Sequence, residues 1–186
     1  YHKNSTLFKE ENYKNGDLGF FTVYYENGDI QERLHLTSGV SEYFEADEIV
    51  YEEFYVNGDI SQVIRFIDKS LNQISKVSHF YQNGQLSSKF EIFNQQEKIY
   101  TAKLFYSDGT LQSEGRLYLE NAGFNPKWNK NGPWKIYHTN GSISSIISYT
   151  DDAEDGPYEI YGKDGKLISK GMFVEGTQKE SDGILN

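Results

Sequence analysis

Six times along the chain an aromatic residue is followed four positions later by glycine and two positions after that by Ile or Leu. The sets are Tyr24/Gly28/Ile30, Phe54/Gly58/Ile60, Phe80/Gly84/Leu86, Phe105/Gly109/Leu111, Tyr137/Gly141/Ile143 and Tyr161/Gly165/Leu167. A motif that recurs every few tens of residues means one supersecondary unit built repeatedly, and it constrains the fold more than local propensity does. The residue before each glycine is Asn27, Asn57, Asn83, Asp108, Asn140 or Asp164. Asn-Gly and Asp-Gly between apolar-rich runs signal hairpin turns, because both residues tolerate a positive φ there. A partial seventh copy, Asn15-Gly16 with Leu18, stands near the start.

The spacing within each unit agrees with hairpins. Eight residues after each glycine comes Leu36, Phe66, Ile92, Leu117, Tyr149 or Phe173. A three-residue loop with a bulge at glycine sets the aromatic of each unit opposite its Ile or Leu. Such a cross-strand pair contributes roughly 0.2–1 kcal/mol over Ala–Ala. A two-residue turn would instead bring Tyr25, Tyr55, Tyr81 and Tyr106 opposite the aliphatic residue, a role that His138 and Gly162 suit less well. Lys69 to Lys76 is long enough for one helical turn, and no stretch sustains a 3.6-residue period. The expected fold is therefore all-β: one elongated domain over 1–186, an antiparallel sheet of stacked β-hairpin repeats. Six units run from 19 to 176, with a partial unit at 7–18 and a tail at 177–186.

Three units open on a fuller signature of Gly, any residue, aromatic, polar, Ile or Val, and Tyr. They begin at Gly19, Gly132 and Gly156, while Ile49, Ser75 and Tyr100 replace the glycine in the middle units. The segments Gly132-Pro-Trp-Lys-Ile-Tyr-His-Thr-Asn-Gly-Ser-Ile143 and Gly156 through Leu167, with Gly171-Met-Phe173-Val-Glu-Gly176, resemble the variant MORN repeat. The chain is similar to bacterial MORN-repeat proteins described as antitoxin components, over about Tyr13 to Gly176. That resemblance implies a gently twisted antiparallel sheet and a toxin as partner.

Composition narrows the function. The net charge is −10 and the chain has three arginines, Arg33, Arg65 and Arg116. Phosphate recognition needs clustered Lys and Arg, so nucleic acid is not an expected partner. No run approaches the ~18 apolar residues of a membrane-spanning helix. The absence of cysteine removes disulfides and thiol chemistry. His2, His35, His79 and His138 are scattered, and the spacing predicts neither a metal site nor a cofactor. Asp151, Asp152, Glu154 and Asp155 lack the spacing of a calcium loop and read as an acidic hairpin connection. No nucleophile elbow is present, and a thin sheet has few pockets in which to shift a catalytic pKa. The chain reads as non-catalytic. Its first residue is Tyr, which is taken as a processed start and favours an exported bacterial envelope location, periplasmic or lipid-anchored, over the cytoplasm.

Function is expected in the insertions. The turn glycines lie 30, 26, 25, 32 and 24 residues apart, so the long gaps hold extra segments at Thr37 to Glu48 and Tyr118 to Asn131. Insertions in repeat proteins tend to fall on a binding face. The aromatic residues in these polar loops either fold back over the sheet or stand free as partner anchors, and as anchors the candidates are Tyr43, Phe44, Phe124 and Trp128. Their replacement by Ala is expected to abolish partner capture and leave the fold intact. The expected partner is another protein, a toxin or a subunit of a cell-envelope complex. A structural role in such a complex is the alternative, and carbohydrate binding through exposed rings a further one. Open strand edges at either end offer another docking route.

Overall fold

The computed structural model describes residues 3, 6–14, 17–37, 48–68 and 70–179. Their regular structure is all β-strand, with no helix. The chain forms two compact units: one comprises residues up to Leu86 together with Ala122–Phe124, the other Ser87–Asn121 and the residues from Asn125.

The first unit contains β1 (Lys9–Lys14), β2 (Asp17–Tyr24), β3 (Ile30–Thr37), β4 (Glu48–Phe54), β5 (Ile60–Phe66) and β6 (Ile74–Phe80). Each strand pairs antiparallel with the next in chain order. No helical turn forms over Ser70 to Lys76, where the sequence had room for one. Leu71 has a left-handed φ of 59° and β6 begins at Ile74. Ile74 and Val77 are fully buried, and pairing with β5 satisfies the backbone that a helical turn would leave open.

The second unit contains β7 (Leu86–Asn94, from Ser87 onward), β8 (Ile99–Phe105), β9 (Leu111–Asn121), β10 (Lys127–Lys130), β11 (Gly132–Tyr137), β12 (Ile143–Thr150), β13 (Ala153–Tyr161), β14 (Leu167–Val174) and β15 (Thr177–Lys179). Pairing again follows chain order, except that β9 carries two partners along one edge. Its later half pairs with β10, and Ser113 and Glu114 pair with β11. The second insertion is thus a hairpin extension of β9.

The six repeat turns share one geometry. Tyr25 N–H donates to Asp29 O at 2.8 Å, and Gly28 N–H donates to Tyr25 O at 2.9 Å. The same two bonds recur around Gly58, Gly84, Gly109, Gly141 and Gly165, with distances of 2.8–2.9 Å. The six glycines have φ of 91°, 86°, 78°, 85°, 84° and 79°. This is the three-residue loop with a glycine bulge. Tyr24 faces Ile30, Phe54 faces Ile60, Phe105 faces Leu111, Tyr137 faces Ile143 and Tyr161 faces Leu167. The Asn or Asp before glycine adds a side-chain bond. Asn27 Oδ1 accepts the N–H of Asp29 at 3.0 Å, and Asp108 Oδ1 accepts that of Thr110 at 2.9 Å. A short side-chain acceptor there stabilises the turn, which explains the residue choice.

Alternation along the strands puts one set of side chains on each face. In the first unit Phe21, Leu34, Tyr51, Ile64 and Val77 are buried, and they are cross-strand neighbours in that order. In the second unit Trp134 is 1% exposed and packs where β9 has Gly115; a Cβ there would lie 2.5 Å from the indole. Tyr158 uses Gly171 on β14 in the same way, with a Cβ 2.9 Å from its ring. A large ring on one strand is thus accommodated by a missing side chain on its neighbour.

Candidate partner-binding site

In the first unit, Tyr25 and Tyr55, three residues before their turn glycines, each tie one hairpin to the next. Tyr25 OH donates to Phe54 O and Tyr55 OH to Phe80 O, both at 2.7 Å. His138 occupies the same place in the second unit, and its Nε2–H donates to Tyr161 O at 3.0 Å. These bonds fix the rings at the turn end of the sheet. Gly162 takes this position in the last repeat.

In the first unit the fixed rings wall an open groove of about 440 Å³ lined by Tyr25, Tyr55, Val56, Asn57 and Gln82. Val56, within the second turn, is 62% exposed. The groove therefore has two immobilised ring walls, an apolar patch and two amide side chains.

A pair of carboxylates adjoins it. Glu32 on β3 and Glu53 on β4 are direct cross-strand partners. Tyr51 OH donates to Glu32 Oε2 at 2.5 Å. Burial, this hydrogen bond and the charges of Glu32 and Glu53 drive the Tyr51 phenol well above its ordinary range. Tyr25 is raised by burial and by the same two carboxylates, so it belongs to both the groove and the acidic pair. Glu53 is exposed overall, yet its carboxyl is partly desolvated; this and the neighbouring Glu32 raise its pKa. Neither carboxylate meets a cationic side chain among the described residues.

The opposite face of the same two strands is neutralised. Glu52 receives the Arg33 guanidinium Nε, and His35 Nε2 lies 2.9 Å from the same Oε2. Burial alone would raise Glu52, but these hydrogen bonds and charges outweigh it and lower its pKa. Arg33 also lies 5.3 Å from the Phe54 ring centroid. Strand alternation thus gives Glu52 the Arg33 guanidinium and the His35 imidazole and leaves Glu32 and Glu53 facing each other.

The anchors expected from the insertions fall differently. Tyr43 and Phe44 lie outside the described residues. Phe124 stacks on Tyr51 with centroids 4.6 Å apart, and meets Phe21 at 5.6 Å and Phe66 at 6.2 Å edge-on. Gln62 Nε2 donates to Phe124 O at 3.3 Å. Trp128 meets Tyr100 at 4.7 Å and Phe90 at 5.2 Å. Both rings cover apolar surface of their own unit, as the fold-back alternative to a free anchor has it. The cause is burial: a ring carried on a loop gains most by leaving water for the nearest apolar face. The acidic segment at Asp151 and Asp152 is a two-residue hairpin turn, with φ of 48° and 69°, and Thr150 faces Ala153. No grouping of three or more potential metal ligands occurs among the described residues.

The site residues that sequence reasoning missed are Tyr25, Tyr55, Val56, Glu32 and Glu53. A signal for the carboxylates was present in the repeat columns. Four residues after the turn glycine, the six units carry Glu32, Gln62, Ser88, Ser113, Ser145 and Ser169; five before it they carry Val23, Glu53, His79, Leu104, Ile136 and Ile160. Glu32 and Glu53 are the acidic members of columns that otherwise hold Gln or Ser in the first and His or aliphatic residues in the second.

A second recess, of about 300 Å³, lies in the second unit beside Ile99, Arg116, Tyr118 and Pro133. There Arg116 sits 4.3 Å from the centroid of the Phe93 ring.

Among known proteins, the model of the MORN repeat variant matches residues 130–151, which run from the end of β10 through β11 and β12. No curated protein matches the chain. The matched segment contains Gly132, Trp134, Tyr137 and the Asn140-Gly141 turn, the residues whose packing and turn geometry recur along the chain. With the hairpin architecture, the match supports a MORN-repeat protein and a repeat-type binding module.

Proposed function

We propose that this chain is a non-catalytic protein-binding module of the MORN-repeat type, acting as an antitoxin- or immunity-like protein that occludes the surface of a partner. The observation that carries the reading is the groove between Tyr25 and Tyr55. Its ring walls are held by hydrogen bonds to neighbouring backbone, so they lose little conformational freedom when a partner docks. Aromatic side chains with an exposed apolar neighbour are the residue types that anchor protein interfaces. A shallow, open groove suits a protein surface better than a small substrate, which needs enclosure on most sides.

The test fills the groove without altering charge. The Val56→Trp/Gln82→Trp variant changes two exposed side chains and should keep the circular dichroism spectrum and melting temperature of the parent. Affinity purification of both proteins from the source cell, with mass spectrometry of what is retained, should show a partner held by the parent and lost by the variant. Retention of the same partner by the folded variant would refute the groove as the binding site.

A further inference from the structure

We infer that the occupant of this groove presents an arginine side chain whose guanidinium seats on the Glu32–Glu53 pair. The inference rests on the protein-binding reading above and adds the chemistry of the partner. Its first ground is charge. The stretches 25–32, 53–62 and 80–86, which form the turn end of the first unit, contain Glu26, Asp29, Glu32, Glu53 and Asp59 and no Lys or Arg. Its second ground is the electrostatic state of the pair. Two carboxylates directly opposite each other on adjacent strands repel. The nearby basic side chains, Arg33 and the imidazole of His35, face the other way and bind Glu52. A cation arriving from outside would relieve that repulsion.

The geometry favours guanidinium over ammonium. Arginine is planar, offers a fork of donors to carboxylates and stacks against aromatic faces. The site supplies both kinds of contact, because Tyr25 lines the groove and its hydroxyl donates to the carbonyl of Phe54, the residue after Glu53. An exposed carboxylate beside immobilised rings differs from a mere surplus of surface acid, and this difference makes the inference testable.

The probe is the pentapeptide acetyl-Gly-Arg-Gly-Arg-Gly-amide, with a citrulline and a lysine counterpart, titrated into the full chain and followed by backbone amide chemical shifts. The arginine peptide should shift amides within 24–33 and 52–60 and bind at least fivefold more tightly than either counterpart. The Glu32→Gln/Glu53→Gln variant should lose at least fivefold in affinity. Asp151→Asn/Glu175→Gln, which removes the same charge from exposed positions in the second unit, should lose less than twofold. Equal binding of the citrulline or lysine peptide, equal loss in the two variants, or shifts confined to other residues would overturn the inference. The groove reading fails separately: it falls if the tryptophan-filled variant keeps its cellular partner, and stands if that variant loses the partner while Glu32→Gln/Glu53→Gln does not.

Discussion

Glu52 and Glu53 are adjacent in the chain and point to opposite faces of β4, so the same carboxylate chemistry has opposite consequences for stability. Glu52 has a lowered pKa, and its contribution is fully present above the ordinary value of 4.5 and lost as pH falls through the lower folded value. Replacing Glu52 by Gln should destabilise the protein at pH 7 by about 1 kcal/mol, since the Arg33 partner is partly solvated. Glu53 has a raised pKa, so its favourable contribution is present below 4.5 and disappears as pH rises through the folded value. Glu53→Gln should therefore stabilise at pH 7 by about 0.5 kcal/mol. Urea denaturation at pH 7 and pH 4 checks both: the Glu53→Gln gain should shrink at pH 4, and a destabilised Glu53→Gln at pH 7 would contradict the like-charge account. Sterics decide a second residue. Gly115 leaves room for Trp134, and Gly115→Ala would push a Cβ to 2.5 Å from the indole. A loss of about 1–3 kcal/mol is expected, with a shifted tryptophan emission maximum.

The hairpin carries most of what could be read in advance. The Asn/Asp-Gly pair encodes a local conformation, so the place of each turn followed from the sequence, which left a bulged three-residue loop and a two-residue turn open; the structure takes the bulged loop at Gly28, Gly58, Gly109, Gly141 and Gly165. What links one hairpin to the next was less legible, because it depends on distance rather than neighbours in sequence. In the sequence Tyr25 and Tyr55 had a role only as cross-strand partners in a two-residue turn, and the structure shows their hydroxyls reaching Phe54 O and Phe80 O instead. The groove was invisible for the same reason. The Glu32–Glu53 pair was visible in the repeat columns, but its meaning required knowing that the two columns meet across β3 and β4. Tyr55→Phe tests the linking role. Removing the hydroxyl should cost about 0.5–1.5 kcal/mol and leave Phe80 O short of a donor. Amide exchange of residues near Phe80 and in the Tyr81–Gln85 turn should accelerate; unchanged exchange and stability would mean that solvent replaces the bond without cost.

At the scale of the molecule, a repeat protein is stabilised by neighbour contacts, and each unit must find cover for its own apolar face. Phe124 provides that cover in the first unit and Trp128 in the second. Sequence could not separate a ring waiting for a partner from a ring already packed, because both occur as aromatics in polar loops; the distinction lies in tertiary contacts. The consequence bears on mutagenesis, where packed rings favour a loss of stability over the intact fold of the anchor reading. Phe124→Ala removes a ring stacked on Tyr51 and edged by Phe21 and Phe66, and should cost about 2–4 kcal/mol. Hydrogen exchange should then report faster opening at Phe21, Tyr51 and Phe66, the strand positions the ring meets. Trp128→Ala should do the same at Phe90 and Tyr100 in the second unit. If instead either variant keeps full protection and stability, the ring is dispensable to its own sheet and free to serve as the anchor that its loop position suggested.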